Sequence, residues 1–329
     1  MELKKVLLRD FTSLRIGGES TMVVVKSEKA LEEAISRAKA NKVRIHILGE
    51  GTNTYFGEKI KNTLILKNEI RGMMLQNTIL TSYAGETWDD VVKYAIKNNL
   101  WGIENLSYIP GSAGAAPIQN IGAYGTELKD TLISVRVYDT KKEKFLVLKN
   151  NECHLGYRDS LFKRSPGRYI VISITIKLSK KKKPILRYKP LDSLLENKNV
   201  TLREIRNLVI KTRKKKLPDY TQYPNTGSFF KNVIVSSKKA SDLKKKFPSI
   251  LCIKQEGGYK IPTAWLIEHV AKMKGARDGS VGTWPIQPLV LVNYGKATSK
   301  ELNTFAEKIV KKIKKETGIK LEREVNFVE

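Results

Sequence analysis

Cysteine and histidine are scarce in this chain. Only Cys153 and Cys252 occur in 329 residues. Two thiols make no disulfide framework, and these lack the spacing of a metal site. A reducing compartment, the cytoplasm, is therefore expected. The three histidines are His46, His154 and His269. No apolar run reaches the ~18 residues of a membrane-spanning helix. The start, MELKKVLLRDFTS, has too short an apolar core for a secretory signal. There is no GxGxxG fingerprint and no internal repeat.

Acidic residues are also few, 33 against 61 basic ones, for a net charge of +28. Such a surface attracts nucleic acid or membrane. Yet lysine far outnumbers arginine and is spread over the whole length, and isoleucine and asparagine are plentiful. Codon bias in an AT-rich genome accounts for this without any partner. The runs Lys180–Lys183 and Lys211–Lys216 lack interleaved aromatics, which argues against a base-stacking surface. Both read as solvated, and neither a nucleic-acid nor a membrane partner is expected. With 41% hydrophobic residues, the chain is globular and long enough for two or three domains.

Against this lysine-rich background, one long segment carries no charge at all. Ile109–Gly125 reads IPGSAGAAPIQNIGAYG, with four glycines and four alanines. Small residues let the backbone approach a flat or highly charged partner. Backbone N–H groups in such loops can hold phosphate oxygens. A tight packing turn is the bland alternative. A second small-residue loop, Gly49-Glu50-Gly51-Thr52-Asn53-Thr54, follows the apolar strand Val43–Leu48. Two such loops suggest a pyrophosphate clamped from two sides.

Periodicity fills in the rest. Met22–Val25 reads as a strand, and Ala30, Leu31, Ala34, Ile35 and Ala38 recur at helical spacing. Ile79–Ala84, Leu132–Tyr138 and Tyr169–Leu178 read as strands. Capping boxes are expected at Thr87/Asp90, Thr201/Glu204 and Thr298/Glu301. The last of these starts a helix with Leu302, Phe305, Ala306, Ile309, Val310 and Ile313 on one face. Pro218 stops the helix that begins near Thr201. The segment Ser179–Leu195 reads as a mobile connection. Ile319, Leu321, Val325 and Phe327 alternate with polar residues, as in a final strand whose polar face meets solvent by default.

Four segments in order resemble one family. They are IPGSAGAAPIQNIGAYG, GYRDSLFK (156–163), LPDY…NTGSFFKN (217–232) and LEREVNF (321–327). Together with the GEGTN loop they are similar to UDP-N-acetylenolpyruvoylglucosamine reductases, and the resemblance runs from Phe11 to Val328. It implies an α+β architecture with a two-subdomain FAD-binding fold of the vanillyl-alcohol-oxidase type and a C-terminal domain that closes over a UDP-sugar. The expected boundaries are 1–68, 69–198 and 199–329, with the final strand 319–329 returning near the first.

The resemblance also implies the chemistry. NADPH passes hydride to FAD, and hydride then reaches the enolpyruvyl group of UDP-N-acetylglucosamine enolpyruvate to give UDP-N-acetylmuramate for peptidoglycan. Gly49, Glu50, Gly51, Thr52, Asn53 and Thr54 would line the FAD together with Ser112, Gly114, Ala115, Asn120, Gly122, Ala123 and Tyr124. Glu50 repels a diphosphate, so its side chain is expected to point away and cap a backbone turn. Arg158 matches the arginine beside the substrate carboxylate, a role that suits a permanently charged bidentate group. Ser228 matches the proton donor. Glu324 matches the glutamate that polarises the carboxylate with Arg158, as a neutral acid. Lys216, Asn232, Lys260 and Gln287 would surround the diphosphate. Tyr188 would close over it, as in the longer, type I members.

Three positions depart from the family pattern: Val233, Trp284 and Asn326. No histidine or cysteine lies in the two cofactor loops, so the FAD is expected to be non-covalent. A monomer is expected. The alternatives are another flavoenzyme of the same fold or, from a different class, a basic nucleic-acid-binding protein. Joint retention of Arg158, Ser228 and Glu324 favours the reductase.

Overall fold

The computed structural model describes residues 2–255 and 257–329. The chain forms two compact units. The first holds residues up to 6 with 20–51 and 61–215, and the second holds 7–19, 52–60 and 216–329.

The first unit contains two sheets. One has the strand order Lys4–Leu7, Glu19–Val25, Lys59–Asn68, Arg44–Leu48. The last two run parallel, with Leu48 opposite Lys67. The crossover between Glu19–Val25 and Arg44–Leu48 is the helix Glu28–Ala40. Its buried stripe is the expected Leu31, Ala34, Ile35 and Ala38, packed with Val23, Val25 and Leu66. Each fully buried leucine or isoleucine contributes about 1.5–3 kcal/mol. The second sheet has five antiparallel strands in the order Lys144–Lys149, Leu132–Asp139, Tyr169–Lys177, Ile79–Tyr83, Met73–Gln76. Over it lies the helix Trp88–Lys97, burying Trp88, Val91, Val92 and Ala95.

The second unit is built on the helix Ser299–Thr317. The box at its start is present as expected, with Thr298 and Glu301 each accepting the other's backbone N–H. Gly318 ends it in the left-handed conformation at φ 70°, where a side chain would be strained. Leu302, Phe305, Ala306, Ile309, Val310 and Ile313 are all buried. They pack in a core that includes Phe229, Phe230, Leu291 and Val281. Around them lie a sheet of Asn225–Ser228, Val290–Asn293, Val281–Thr283 and Arg277–Asp278, and a smaller one of Val233–Val235, Gly258–Ile261 and Ile253–Gln255.

Three expectations need correction. Thr87 precedes the Trp88–Lys97 helix but makes no side-chain cap; its hydroxyl donates to Glu50 Oε1 at 2.7 Å instead. The final strand is only Asn326–Val328, parallel to Thr54–Phe56. Residues before it are held by other bonds, and Glu324, expected on a polar face, is buried at 8% exposure. The segment 179–195 is anchored, because Leu186 and Leu191 are buried with Trp101, Val200, Leu202, Ile205 and Val209. The box at Thr201/Glu204 is present in both directions, at 2.7 and 3.2 Å. Lys180–Lys183 is exposed as expected, but Arg213, inside the second basic run, is half-buried.

Candidate active site

In the first unit the two small-residue loops touch. A Cβ on Gly49 would stand 2.5 Å from Ser112 Oγ, so a larger residue there would displace the serine hydroxyl. The Glu50 carboxylate turns away from the loop and accepts the Thr87 hydroxyl at 2.7 Å and the Gly111 N–H at 3.1 Å. That is the backbone-capping role expected of it. Lys67 Nζ reaches Gly49 O at 3.3 Å and places a cation beside the loop, a residue sequence reading did not single out. Among the described residues, the N–H groups of Glu50 and Gly51 have no protein acceptor. They are the donors a phosphate can use. Thr52, Asn53 and Thr54 continue the loop into the second unit.

The Ala/Gly segment offers smallness rather than donors over much of its length. Ala113, Gly114 and Ala115 already donate to Glu86 O, Ala84 O and Ser112 O. A Cβ on Gly114 would lie 2.5 Å from the Ala84 Cβ, so packing alone demands glycine there. Asn120 is fully buried and its amide is spent, donating to Glu127 Oε2 and Gly156 O and accepting from Lys129 N–H. It braces the turn into the Gly122–Glu127 hairpin, in which Gly122 faces Glu127 and Ala123 faces Thr126.

The GYRDSLFK motif is a tight turn in the same unit. Gly156 and Asp159 exchange backbone hydrogen bonds, and Arg158 sits at φ 52°. A non-glycine residue in that region is uncommon and is held there by its surroundings. Ser160 caps the next short helix and donates to Ile118 O at 2.6 Å. The Arg158 guanidinium points back along the Ala/Gly segment and donates to Gly122 O at 3.1 Å and Asn120 O at 3.5 Å. Asp159 pairs with Arg164. Tyr188 packs its ring on Gly125, where an added Cβ would be 2.1 Å from a ring carbon.

In the second unit, Asn225 shapes the approach to Ser228. Its side chain donates to Pro218 O and Tyr223 O and accepts the Gly227 N–H at 2.8 Å. Gly227 has φ 69°, which only glycine adopts cheaply. The LEREVNF segment clasps NTGSFFKN: Lys231 N–H donates to Glu322 O, and Glu324 N–H to Phe229 O, both at 2.9 Å. Ser228 and Glu324 thus lie on adjoining backbones, with Asn53 Nδ2 on Glu324 O at 3.3 Å. Beneath them Tyr55 is fully buried, and burial pushes its phenol up to about 12 despite Arg323.

Among the other expected residues, Asn232 accepts the Thr263 N–H at 3.0 Å, which fixes its amide. Lys260 lies between Ile234 and Ile253 across the small sheet, on the face opposite the buried Ile261. Lys216 is the exposed end of the helix Leu202–Lys216. Gln287 starts the turn before Val290, with its carbonyl accepting the Val290 N–H. Trp284, one of the departures, packs at a tilt against Tyr223, with ring centroids 5.0 Å apart and planes at 51°.

The profile of the FAD binding domain family matches residues 20–148. That of the UDP-N-acetylenolpyruvoylglucosamine reductase C-terminal domain matches residues 219–328. The chain is thus an FAD-binding oxidoreductase. The UDP-N-acetylenolpyruvoylglucosamine reductase of Pseudomonas aeruginosa is 35% identical over 311 residues, 92% of this chain and 91% of its own. That of Porphyromonas gingivalis is 38% identical over 294 residues, covering 87% and 86%. The chain belongs to the UDP-N-acetylenolpyruvoylglucosamine reductase family. The crystal structure of the Thermus caldophilus reductase matches over the whole of both chains with a TM-score of 0.71 at 24% identity, a likeness of fold. Among the described residues no helix is long and apolar enough to cross a membrane.

Proposed function

We propose that this flavoenzyme uses NADPH to reduce the enolpyruvyl ether of a UDP-N-acetylglucosamine to a lactyl ether, in the cytoplasm and as a monomer. FAD, when bound, supplies the two-electron relay between NADPH and the sugar. The Glu50 and Gly51 N–H groups and Lys67, which also pairs with Glu69 at 3.5 Å, suit its diphosphate. The three subdomains at 1–68, 69–198 and 199–329 remain part of this reading.

The remaining steps belong to side chains. Hydride adds to the terminal alkene carbon, and the electron pair moves to the adjacent carbon and its carboxylate. Arg158 binds that carboxylate and stabilises the developing charge. Ser228 donates its hydroxyl proton to the adjacent carbon, which completes the lactyl group and leaves the oxygen to be reprotonated from solvent. Glu324, as a neutral acid, polarises the carboxylate. Lys216, Asn232, Lys260 and Gln287 hold the substrate diphosphate, and Tyr188 closes over it.

The observation that best supports this reading is the Glu324–Phe229 backbone bond, which joins the backbone of the buried residue Glu324 to that of the residue following Ser228. Its test is Ser228→Ala, followed separately in each half-reaction. NADPH should still reduce the flavin at a near-normal rate, while reoxidation by the enolpyruvyl sugar should nearly cease. Equal loss of both halves would remove Ser228 from the proton step.

A further inference from the structure

We propose that Arg213 is a second guanidinium for the substrate carboxylate, acting with Arg158 in the first unit. It sits in the run 211–216, where sequence reading expects solvated charge.

Several contacts place it. Arg206 and Arg213 are two turns apart on one face of the helix Leu202–Lys216. Arg206 makes a bidentate pair with Asp89 at 2.8 and 2.7 Å, and Asp89 accepts the Tyr108 N–H at 2.6 Å. Arg213 Nε donates to Tyr108 O at 3.0 Å. The helix therefore grips both sides of residue 108, immediately before Ile109–Gly125. Tyr124, within that segment, packs against the cluster holding Leu202, Ile205 and Val209. Val209 is one turn before Arg213.

The guanidinium has spare capacity. Among the described residues its one hydrogen bond is the Nε donation, and no carboxylate pairs with it. Four Nη donors remain. Burial disfavours its charge; Tyr124, Tyr108 and Asp89 favour it, and Arg158 opposes it. Arg158 holds Asn120 O and Gly122 O, Arg213 holds Tyr108 O one turn beyond the Val209 cluster on which Tyr124 packs, and the two arginines feel each other's charge. Like charges brought together this way are relieved by an anion between them. A carboxylate with two oxygens can accept from both guanidinium groups.

This inference rests on Arg158 being the carboxylate's partner. The probes are UDP-N-acetylglucosamine enolpyruvate and UDP-N-acetylglucosamine, which lacks the carboxylate, titrated against the oxidised holoenzyme by flavin absorbance. Arg213→Gln should weaken the enolpyruvyl sugar about 10–100-fold and leave the other sugar within about threefold, with FAD content retained. Equal weakening of both sugars, or no change in either, would overturn it. Should the glutamine variant fail to fold, Arg213→Lys keeps the charge and loses the fork. The same selective loss, at about 3–10-fold, is expected there, and wild-type affinity for both sugars would refute the role. A wild-type enzyme that ignores the enolpyruvyl sugar would defeat the underlying reading of Arg158 instead.

Discussion

Replacing Glu50 with alanine removes a carboxylate from the loop proposed to hold the FAD diphosphate, and two opposite effects compete. The structure gives the carboxylate two hydrogen bonds, from Thr87 at 2.7 Å and from Gly111 N–H at 3.1 Å. Glu50 is half-buried, so the lower end of the range for bonds to charged groups applies, about 1.5 kcal/mol each. Losing both costs about 3 kcal/mol of loop organisation. Against this, the variant relieves repulsion with the diphosphate. With the carboxylate turned away, so that the phosphate lies ~10 Å off, and the effective dielectric of ~20 near a protein surface, that repulsion is about 1.7 kcal/mol. Organisation wins by about 1 kcal/mol, and FAD affinity should fall roughly 5–10-fold. Glu50→Gln keeps an acceptor and removes the charge, so it should fall less. The assay is FAD rebinding to apoprotein, followed by quenching of flavin fluorescence. Tighter binding in Glu50→Ala would refute the reasoning, because repulsion would then dominate and the carboxylate would not be the latch between the loops.

Other outcomes follow from the same contacts. Arg158→Lys keeps a charge but loses the fork that holds Asn120 O and Gly122 O and that is proposed to bind the substrate carboxylate; reoxidation by the sugar should slow ~10–100-fold, and a change under twofold in stopped-flow traces would contradict the assignment. Burial alone would raise the Asp89 carboxyl, but Arg206 and the Tyr108 N–H outweigh it and hold it below its ordinary 3.8. A depressed carboxyl contributes stability above its unfolded value and loses it as pH falls. Asp89→Asn should therefore lower stability by about 2 kcal/mol at pH 7, and the gap in thermal midpoint should narrow below pH ~4; a gap that widens on acidification would reverse the sign of the argument. Gly114→Ala should cost about 1–3 kcal/mol through the Ala84 clash, read as a lower thermal midpoint, and an unchanged midpoint would mean the strand end at Ala84 yields freely.

What could be read from the sequence was local. The Glu28–Ala40 and Ser299–Thr317 helices show their buried stripes as apolar spacing, and the boxes at Thr201 and Thr298 close within three residues. The box at Thr87 fails because Glu50, 37 positions earlier, takes the hydroxyl; that competition has no local trace. Glu324 is buried although its neighbours alternate like a solvent-facing strand, because its N–H is captured by Phe229, far back in the chain. Arg213 is hidden by composition, one arginine in a basic run, and only the position of Tyr108 separates it from its neighbours. Gly114 reads as a donor in a phosphate loop, yet its N–H is spent on Ala84. The motifs point to a candidate site, while the bonds that decide which atoms are available cross long sequence separations.

The most direct test of the central claim is the visible spectrum of the purified holoenzyme under anaerobic conditions, with NADPH added first and UDP-N-acetylglucosamine enolpyruvate second. The account predicts a flavin band that bleaches with NADPH and returns in full with one equivalent of the sugar. A band that bleaches and stays bleached would contradict it and assign the electrons to a different acceptor.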